Sequence, residues 1–257
     1  MIKKEFVEDF MERQEERIDD LEYKGLKIIQ NKEWFCFGID SVILSEFAKN
    51  IKPNTTVIDL GTGNGIISLL LSQKTNCSKI YGIEIQSEVA KMAARSVKLN
   101  HLEKKITILE CDVKKLDQYF EKESIDAIVS NPPYKKKESG IKSQNRYQRI
   151  ARQEEKANLE DFIRISQYLL KEKAEIYLIH RPERLVDIFS LFREYKIEPK
   201  IIRFVQSKIE KAPNLVLVKG VKGAKPFLKI EPPLILYQED GGYTEEVLAI
   251  YHKEKRR

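Results

Sequence analysis

Residues 56–72, TVIDLGTGNGIISLLLS, decide the fold class of this chain of 257 residues. The first five residues are mostly apolar and predict a buried strand, the next five include three glycines, and residues 66–72 predict a helix. Strand, glycine loop and helix in this order form the binding turn typical of nucleotide-binding α/β proteins. In isolation, such a loop is also compatible with a glycine turn that binds no ligand.

The glycine loop departs from the dinucleotide-binding fingerprint in two ways. Ile66 stands where the last glycine is required, and Asp59 lies just before the glycines, two residues ahead of Gly61. A carboxylate at that point would repel a pyrophosphate, but it could accept hydrogen bonds from an ammonium group. S-adenosylmethionine (SAM) carries an ammonium group and no phosphate, so the loop favours SAM as its ligand.

Strand and helix patterns alternate on both sides of this turn. Strands are predicted near 56–60, 79–84, 106–111, 125–130, 174–180, 200–206 and 214–219, and helices near 41–49, 66–73, 87–100, 113–120, 158–171 and 183–195. Repeated strand–helix units predict a Rossmann-like α/β sheet, mostly parallel and flanked by helices, with an antiparallel last strand. A charged helix over 1–20 and two strands within 26–37 would form a short N-terminal extension.

Two further predicted strands end in an acid. Glu84 follows Gly65 by 19 residues, close to the spacing at which an acidic residue binds ribose hydroxyls. Asp112 ends the next strand and could accept a hydrogen bond from an adenine amino group. An isolated acid at a strand end is more often a cap for the following helix. Three such acids in succession, counting Asp59, instead favour a ligand at the carboxyl edge of the sheet.

The strand predicted at 125–130 leads into the tetrapeptide Asn131-Pro132-Pro133-Tyr134. Both prolines have a fixed φ and no N–H, so the loop presents carbonyl acceptors on a stiff, extended backbone. The Asn131 side-chain oxygen and the Pro132 carbonyl could accept both hydrogens of a flat –NH2 group and stabilise its charge during attack. Tyr134 could stack on the ring that bears this group. The alternative is a structural proline-rich turn in which Tyr134 is only a packing residue.

The order of these elements resembles the class I SAM-dependent methyltransferases of the amino-methylating branch, which bears an Asn-Pro-Pro-Tyr motif. This resemblance covers roughly residues 55–205. Within that branch, the chain is similar to the bacterial valine-tRNA adenine-37 N6-methyltransferases in segments 26–31, 35–44, 180–182 and 232–234. The resemblance implies methylation of the exocyclic N6 of an adenosine in tRNA, most specifically adenosine 37 in the anticodon loop of a valine tRNA.

The resemblance also implies roles for individual residues. SAM, which would leave as S-adenosylhomocysteine, would be bound by Phe37, Asp40, Asp59, Gly61, Gly63, Gly65, Glu84, Ile85, Asp112, Val113 and Asn131. Asp59 and the glycines would line its methionine end, Glu84 would hold the ribose, and Asp112 the adenine. Catalysis would depend on Asn131, Pro132, Pro133 and Tyr134. For Asp40 the alternative is an N-cap of a helix over 42–47.

The positive charge of the chain is concentrated directly after the tetrapeptide. The whole chain has a net charge of +6, and residues 135–152 hold seven basic residues and one acidic residue, again +6. The basic residues are Lys135, Lys136, Lys137, Lys142, Arg146, Arg149 and Arg152. A charged run is usually a solvated loop, but its position beside the tetrapeptide favours a polyanionic substrate, and we expect these residues to bind RNA.

The composition argues against several other classes of protein. No stretch approaches the ~20 apolar residues that span a membrane, and the N-terminus is too acidic for a signal peptide. Cys36, Cys77 and Cys111 match no zinc spacing and indicate reduced thiols. We therefore expect a cytoplasmic monomer without a metal or a membrane partner. Residues 1–50 would be an extension packed on a methyltransferase domain, 51–257, whose tail, 220–257, either packs on the domain or binds RNA.

Three rival functions are weaker interpretations of the same residues. A glutamine methyltransferase acting on a release factor would use the tetrapeptide on an amide –NH2, but such enzymes carry a large N-terminal helical domain, and only about 55 residues precede the first predicted core strand. For a DNA adenine methyltransferase, we find no separate target-recognition domain. An RNA-binding module with a degenerate site is disfavoured by the intact acids and Asn131.

Overall fold

The computed structural model describes residues 15–32, 38–133 and 157–251. Phe37, Tyr134 and the basic segment 135–152 lie outside the described residues. Within these ranges the strands are β1 (Glu16–Asp20), β2 (Lys27–Asn31), β3 (Thr56–Leu60), β4 (Lys79–Glu84), β5 (Ile106–Glu110), β6 (Ile125–Ser130), β7 (Leu170–His180), β8 (Ile197–Gln206), β9 (Leu215–Lys222) and β10 (Lys229–Ile235). The helices are α1 (Ile39–Phe47), α2 (Ile66–Lys74), α3 (Ser87–Leu99), α4 (Leu159–Leu169), α5 (Leu185–Glu194) and α6 (Glu245–Ile250), with 3₁₀ helices at Val113–Gln118 and Pro182–Arg184.

Eight of these strands form one sheet in the order β10-β8-β9-β7-β6-β3-β4-β5. Strand β9 runs antiparallel to both of its neighbours, β7 and β8, and all other neighbours in the sheet are parallel. The prediction of a mostly parallel α/β sheet with an antiparallel strand is therefore confirmed. The sheet also has a parallel edge strand, β10, that lies in the predicted tail.

The core has two layers, because successive residues of a strand point to opposite faces of the sheet. Val57 of β3 packs in the cluster under α1, α2 and α6, whereas Ile58 packs in the cluster under α4 and α5. On β6 the same alternation places Val129 in the first cluster and Ile128 in the second. Helices thus cover both faces of the sheet, which leaves its carboxyl edge for ligands.

The helix predicted over 1–20 is wrong for residues 16–20, which form β1. This strand pairs antiparallel with β2 across a turn in which Leu21, Tyr23 and Leu26 are buried. Glu16, buried at the start of β1, receives two hydrogen bonds of 2.7 Å from Arg95 of α3. Pairing and this buried ion pair override the helix propensity of a Glu- and Arg-rich segment. Two strands were predicted within 26–37. The described part of that segment contains one strand, β2, and its partner is β1.

Two other elements differ from expectation. The segment predicted as a helix over 113–120 forms a shorter 3₁₀ helix. The described part of the tail packs on the sheet, since β10 pairs with β8 and Val247 and Ile250 of α6 lie in the core. Arg203 of β8 contacts both elements of the tail, β10 and α6. Its guanidinium donates to the Pro232 carbonyl at 2.9 Å and to Glu246 at 2.8 Å.

Candidate active site

The carboxyl ends of β3, β4 and β6 meet at one edge of the sheet. Leu60 of β3 is in register with Ile83 of β4 on one side and with Ser130 of β6 on the other. The Ser130 hydroxyl donates to the Leu60 carbonyl at 2.8 Å, and both residues are fully buried. This bond fixes the start of the tetrapeptide beside the start of the glycine loop.

The glycine loop has the backbone conformation that its sequence requires. Gly63 and Gly65 have φ values of +58° and +87°, in the left-handed region that glycine adopts without a steric penalty. No atom lies within 4 Å of the place that a Cβ on Gly63 would occupy, so the loop leaves open space there. Gly65 caps the N-terminus of α2, which directs backbone N–H groups toward the loop.

Asp59 is completely buried at the end of β3. Its Oδ2 accepts hydrogen bonds from the Thr62 hydroxyl at 2.6 Å, the Ser68 hydroxyl at 2.8 Å and the Ser68 N–H at 3.1 Å. Its Oδ1 is buried without a hydrogen-bond partner among the described residues. Burial, the largest effect, raises the pKa of Asp59 to about 6, because the charged form is poorly solvated there. An ammonium group of a ligand would satisfy this oxygen.

Glu84 is buried at the end of β4 and faces the glycine loop. Its Oε2 accepts from the Gly63 N–H at 3.1 Å, and its Oε1 accepts from the N–H of Gln86, next to Ile85, at 2.9 Å. Burial raises the pKa of this carboxyl. A carboxylate offers about four acceptor positions, so the oxygen bonded to Gly63 keeps capacity for a ligand hydroxyl.

Asp112 caps the 3₁₀ helix that follows β5. Its Oδ1 accepts from the Lys114 N–H at 3.0 Å, and the adjoining Val113 is buried. Its Oδ2 lies 3.8 Å from the Lys114 ammonium. The cap that is usual for a strand-end acid is therefore present at Asp112. It is compatible with the predicted adenine contact, because a carboxylate can accept further hydrogen bonds.

The structure brings Asp40 and Asn131 together, although they are 91 residues apart. The Asn131 Nδ2 lies 3.5 Å from Asp40 Oδ2. The N-cap of α1 is Gly38, and Asp40 lies inside the first turn of the helix, so the N-cap alternative for Asp40 is wrong. A carboxylate only accepts hydrogen bonds, which assigns the amide nitrogen of Asn131 to this side and its oxygen to the other. Pro132 is buried and Pro133 is partly buried.

Several polar residues of this edge were not predicted. Thr62 and Ser68 hold Asp59, Ser130 ties β6 to β3, and the buried Asn64 donates from Nδ2 to Gln30 of β2 at 3.3 Å. Polar residues within a glycine loop and at a strand end were a usable signal for Thr62, Asn64 and Ser130. Nothing in the sequence pointed to Gln30, because its contact with the loop depends on how the hairpin docks.

The geometry fits SAM, which supplies a methyl group on a positively charged sulfur. Three features lie together at one edge of the sheet: the buried Oδ1 of Asp59 without a hydrogen-bond partner among the described residues, the buried carboxylate of Glu84, and the open space at Gly63. In the described ranges, no group of His, Cys, Asp and Glu side chains is arranged to hold a metal ion. No helix in those ranges is long and apolar enough to cross a membrane.

Known proteins with similar sequences include tRNA methyltransferases. The chain is 27% identical over 233 residues to the tRNA1(Val) (adenine(37)-N6)-methyltransferase of Haemophilus influenzae, covering 89% of this chain and 94% of the relative. It is 28% identical over 240 residues to the enzyme of the same name from Porphyromonas gingivalis, covering 90% of this chain and 93% of the relative.

The fold is also found among solved structures. A predicted O-methyltransferase from Agrobacterium tumefaciens superposes with a TM-score of 0.67 at 20% identity, covering 83% of this chain and 95% of that one. A family model described as the methyltransferase small domain matches residues 38–183, more than half of the chain. This match includes the glycine loop, Glu84, Asp112 and the tetrapeptide, and the chain belongs to the methyltransferase small domain family.

Proposed function

We propose that this protein transfers a methyl group from SAM to the exocyclic N6 of an adenosine in tRNA, specifically adenosine 37 of a valine tRNA. The structural observation that supports transfer to a flat amine is the contact between Asn131 and Asp40, which assigns the Asn131 amide oxygen to the side away from Asp40. The similarity to tRNA1(Val) methyltransferases over about nine tenths of the chain supports the substrate.

In this proposal, the chain binds SAM through the acids at the carboxyl edge. Asp59 accepts from the ammonium group through its buried Oδ1, and Glu84 accepts from the ribose hydroxyls. Asp112 and Val113 lie beside the adenine. The methionine end lies along the glycine loop, where the absence of a Cβ on Gly63 leaves room for it. The negative charge of the buried carboxylates favours a cationic ligand.

The tetrapeptide orients the target amine. The Asn131 amide oxygen and the Pro132 carbonyl accept its two hydrogens, which localises the nitrogen lone pair toward the methyl group and stabilises the developing positive charge. Tyr134, outside the described residues, stacks on the adenine in this proposal. No strong base is needed, since the amine becomes acidic once it has been methylated and its proton can leave through these acceptors to water. Positioning and desolvation then supply most of the rate.

The basic segment 135–152 binds the tRNA backbone in this proposal, and the target adenosine leaves its stack to enter the site. Unstacking costs least where the base is not paired, as in an anticodon loop. We propose that the protein acts as a cytoplasmic monomer. Free Cys77 and Cys111, both buried, fit a reducing compartment.

The test is methylation in vitro with SAM labelled on its methyl group. Purified protein is incubated with tRNA from a strain lacking the modification and, separately, with a release-factor peptide that contains the target glutamine. We expect label in N6-methyladenosine at position 37 of a valine tRNA, located by nuclease digestion and mass spectrometry. Label in the peptide alone, or in no tRNA, would refute the substrate.

A further inference from the structure

The amide of Gln30 joins the N-terminal hairpin to the glycine loop. Gln30 lies on β2 and Asn64 lies between Gly63 and Gly65, and both side chains are buried. The Asn64 Nδ2 donates to Gln30 Oε1 at 3.3 Å, and Asn64 Oδ1 accepts from the Ile66 N–H at 3.4 Å. At the other end, Gln30 Nε2 donates to the Asp19 carboxylate of β1. Four groups thus form one hydrogen-bonded chain.

The direction of this chain is fixed by its two ends. The Asp19 carboxylate can only accept a hydrogen bond, and the Ile66 N–H can only donate one. Each of the two amides must therefore point its nitrogen toward the Asp19 end of the chain and its oxygen toward the Ile66 end. A flip of either amide would place two acceptors or two donors against each other in a buried site, which is unfavourable.

The hairpin is a firm support for this chain because it is anchored on α3. Asn100, the C-cap of α3, accepts from the Lys27 N–H at 2.8 Å and donates to the Lys27 carbonyl at 2.6 Å. The Ile29 N–H donates to the Ser96 hydroxyl at 3.0 Å, and the Ile29 side chain packs on Met92 and Leu99. Because α3 follows directly on β4 and Glu84, the hairpin is held to the same frame as the site.

We infer that Gln30 is a positioning residue for SAM, which holds the glycine loop in its binding conformation through Asn64. This inference rests on SAM binding at that loop. Asn64 is flanked by two glycines with positive φ, and glycine has the largest conformational freedom of any residue. An external contact therefore limits the conformations of this loop more than it would limit a stiffer turn. Gln30 does not touch the reacting atoms, so it acts on SAM affinity and not on the chemical step.

The test compares Gln30→Glu with the double variant Asp19→Asn plus Gln30→Glu. In the single variant, a carboxylate at the buried position 30 faces the partly exposed Asp19 carboxylate, and their repulsion displaces the side chain at position 30 from Asn64. In the double variant, an amide donates to the new carboxylate, which still accepts from Asn64, and the net charge equals that of the parent protein. We expect the single variant to raise the Kd for SAM about tenfold, and the double variant to restore it to within about threefold.

Two readouts separate positioning from loss of stability. The KM for SAM should rise with the Kd, while kcat at saturating SAM stays near that of the parent protein. Hydrogen exchange of the Ile66 amide, measured without SAM, should be faster in Gln30→Glu and slow again in the double variant. The control is Ile29→Val, a buried change on the same strand without a side-chain bond to the loop.

The inference would be overturned if Gln30→Glu and Ile29→Val lowered the Tm equally and also changed SAM affinity and Ile66 exchange to the same extent. Should Gln30→Glu fail to fold, Asn64→Asp serves instead, since it keeps an acceptor for Ile66 and sets a carboxylate against Gln30 Oε1. It should raise the Kd for SAM, and unchanged affinity would also overturn the inference. Absence of SAM binding by the parent protein would refute the proposed function. Exchange of the Ile66 amide tests the coupling of Gln30 to the glycine loop independently, because it is measured without SAM.

Discussion

The side chains of Asn131 and Asp40 meet at the carboxyl edge of the sheet, with 3.5 Å between Asn131 Nδ2 and Asp40 Oδ2. One comes from the end of β6 and the other from the first turn of α1. The contact turns a flexible amide into an oriented acceptor, because the carboxylate faces its nitrogen. The position of α1 on the sheet therefore contributes to the site as directly as the tetrapeptide does.

Replacement of Asn131 should separate catalysis from cofactor binding. We expect Asn131→Ala to lower kcat about 10²- to 10³-fold, because one of the two acceptors for the target amine is lost. The Kd for SAM, measured by calorimetry, should change less than about threefold. Asp126→Asn is the control, since Asp126 lies near the other end of β6 and accepts from the Thr56 N–H at 2.9 Å. Equal losses of SAM binding and kcat in Asn131→Ala would contradict this division of roles.

Titration of Asp59 should make SAM binding dependent on pH. Its pKa of about 6 means that the carboxylate is mostly protonated at pH 5 and mostly ionised at pH 7.5. Because a cationic ligand favours the ionised form, the Kd for SAM should be about tenfold higher at pH 5 than at pH 7.5. Calorimetry across this range measures the change.

The variant Asp59→Asn isolates the contribution of this residue to the pH profile. It should bind SAM more weakly at pH 7.5 and show a flatter dependence of the Kd on pH. A profile as steep as that of the parent protein would remove Asp59 from the ligand site.

Burial of His180 should make the fold less stable in acid. Burial, the largest effect, lowers the pKa of His180 to about 4, and its Nδ1 accepts from the Arg181 N–H at 2.8 Å. A folded-state pKa below the unfolded value of about 6.5 means that this stability is present above pH 6.5 and is lost as pH falls toward 4. The loss between pH 7 and pH 4.5 should be about 2 kcal/mol.

Urea unfolding at the two pH values measures this loss against His180→Gln, which has no titratable ring. The comparison between variants is essential because Asp59 has the opposite sign: its raised pKa adds stability as pH falls from about 6 to about 4. The difference in pH dependence between the parent protein and His180→Gln isolates the histidine. The exposed His101 provides the matched control, and an equal change in His101→Gln would contradict the assignment.

Neutralising the lysines after the tetrapeptide should weaken tRNA binding. The triple change of Lys135, Lys136 and Lys137 to Gln should reduce the slope of log K against log salt by about 2, since each phosphate contact contributes ~0.7–0.9. Binding titrations at several salt concentrations measure the slope. The control neutralises Lys104, Lys122 and Lys225, which are exposed and precede β5, β6 and β10 at the opposite edge of the sheet. Equal slopes for both triple variants would exclude a specific contact by the first three.

Much of the candidate site was predictable because its residues follow strands. Asp59, Glu84, Asp112 and Asn131 each come directly at or after a strand end, and parallel strands place such positions along one edge. The positive φ values of the glycine loop were likewise implied by its glycines. The cap made by Asp112 was an expected alternative, and the structure contains it.

Other features depend on contacts between distant segments. Residues 16–20 carry the composition of a helix, yet they form a strand because 27–31 is available to pair and Arg95 neutralises the buried Glu16. The edge strand β10 joins the sheet by pairing parallel with β8. For residues 16–20, long-range pairing outweighs a local preference worth tenths of a kcal/mol per residue.

The sequence by itself determined the parallel α/β sheet, the glycine loop and the acids at the strand ends, because local patterns of hydrophobicity and glycine specify them. Only the tertiary structure decided that Asp40 orients Asn131 and that Gln30 reaches Asn64. Those contacts depend on how a helix and a hairpin dock, and docking is fixed by the packing of whole surfaces and not by the residues that meet.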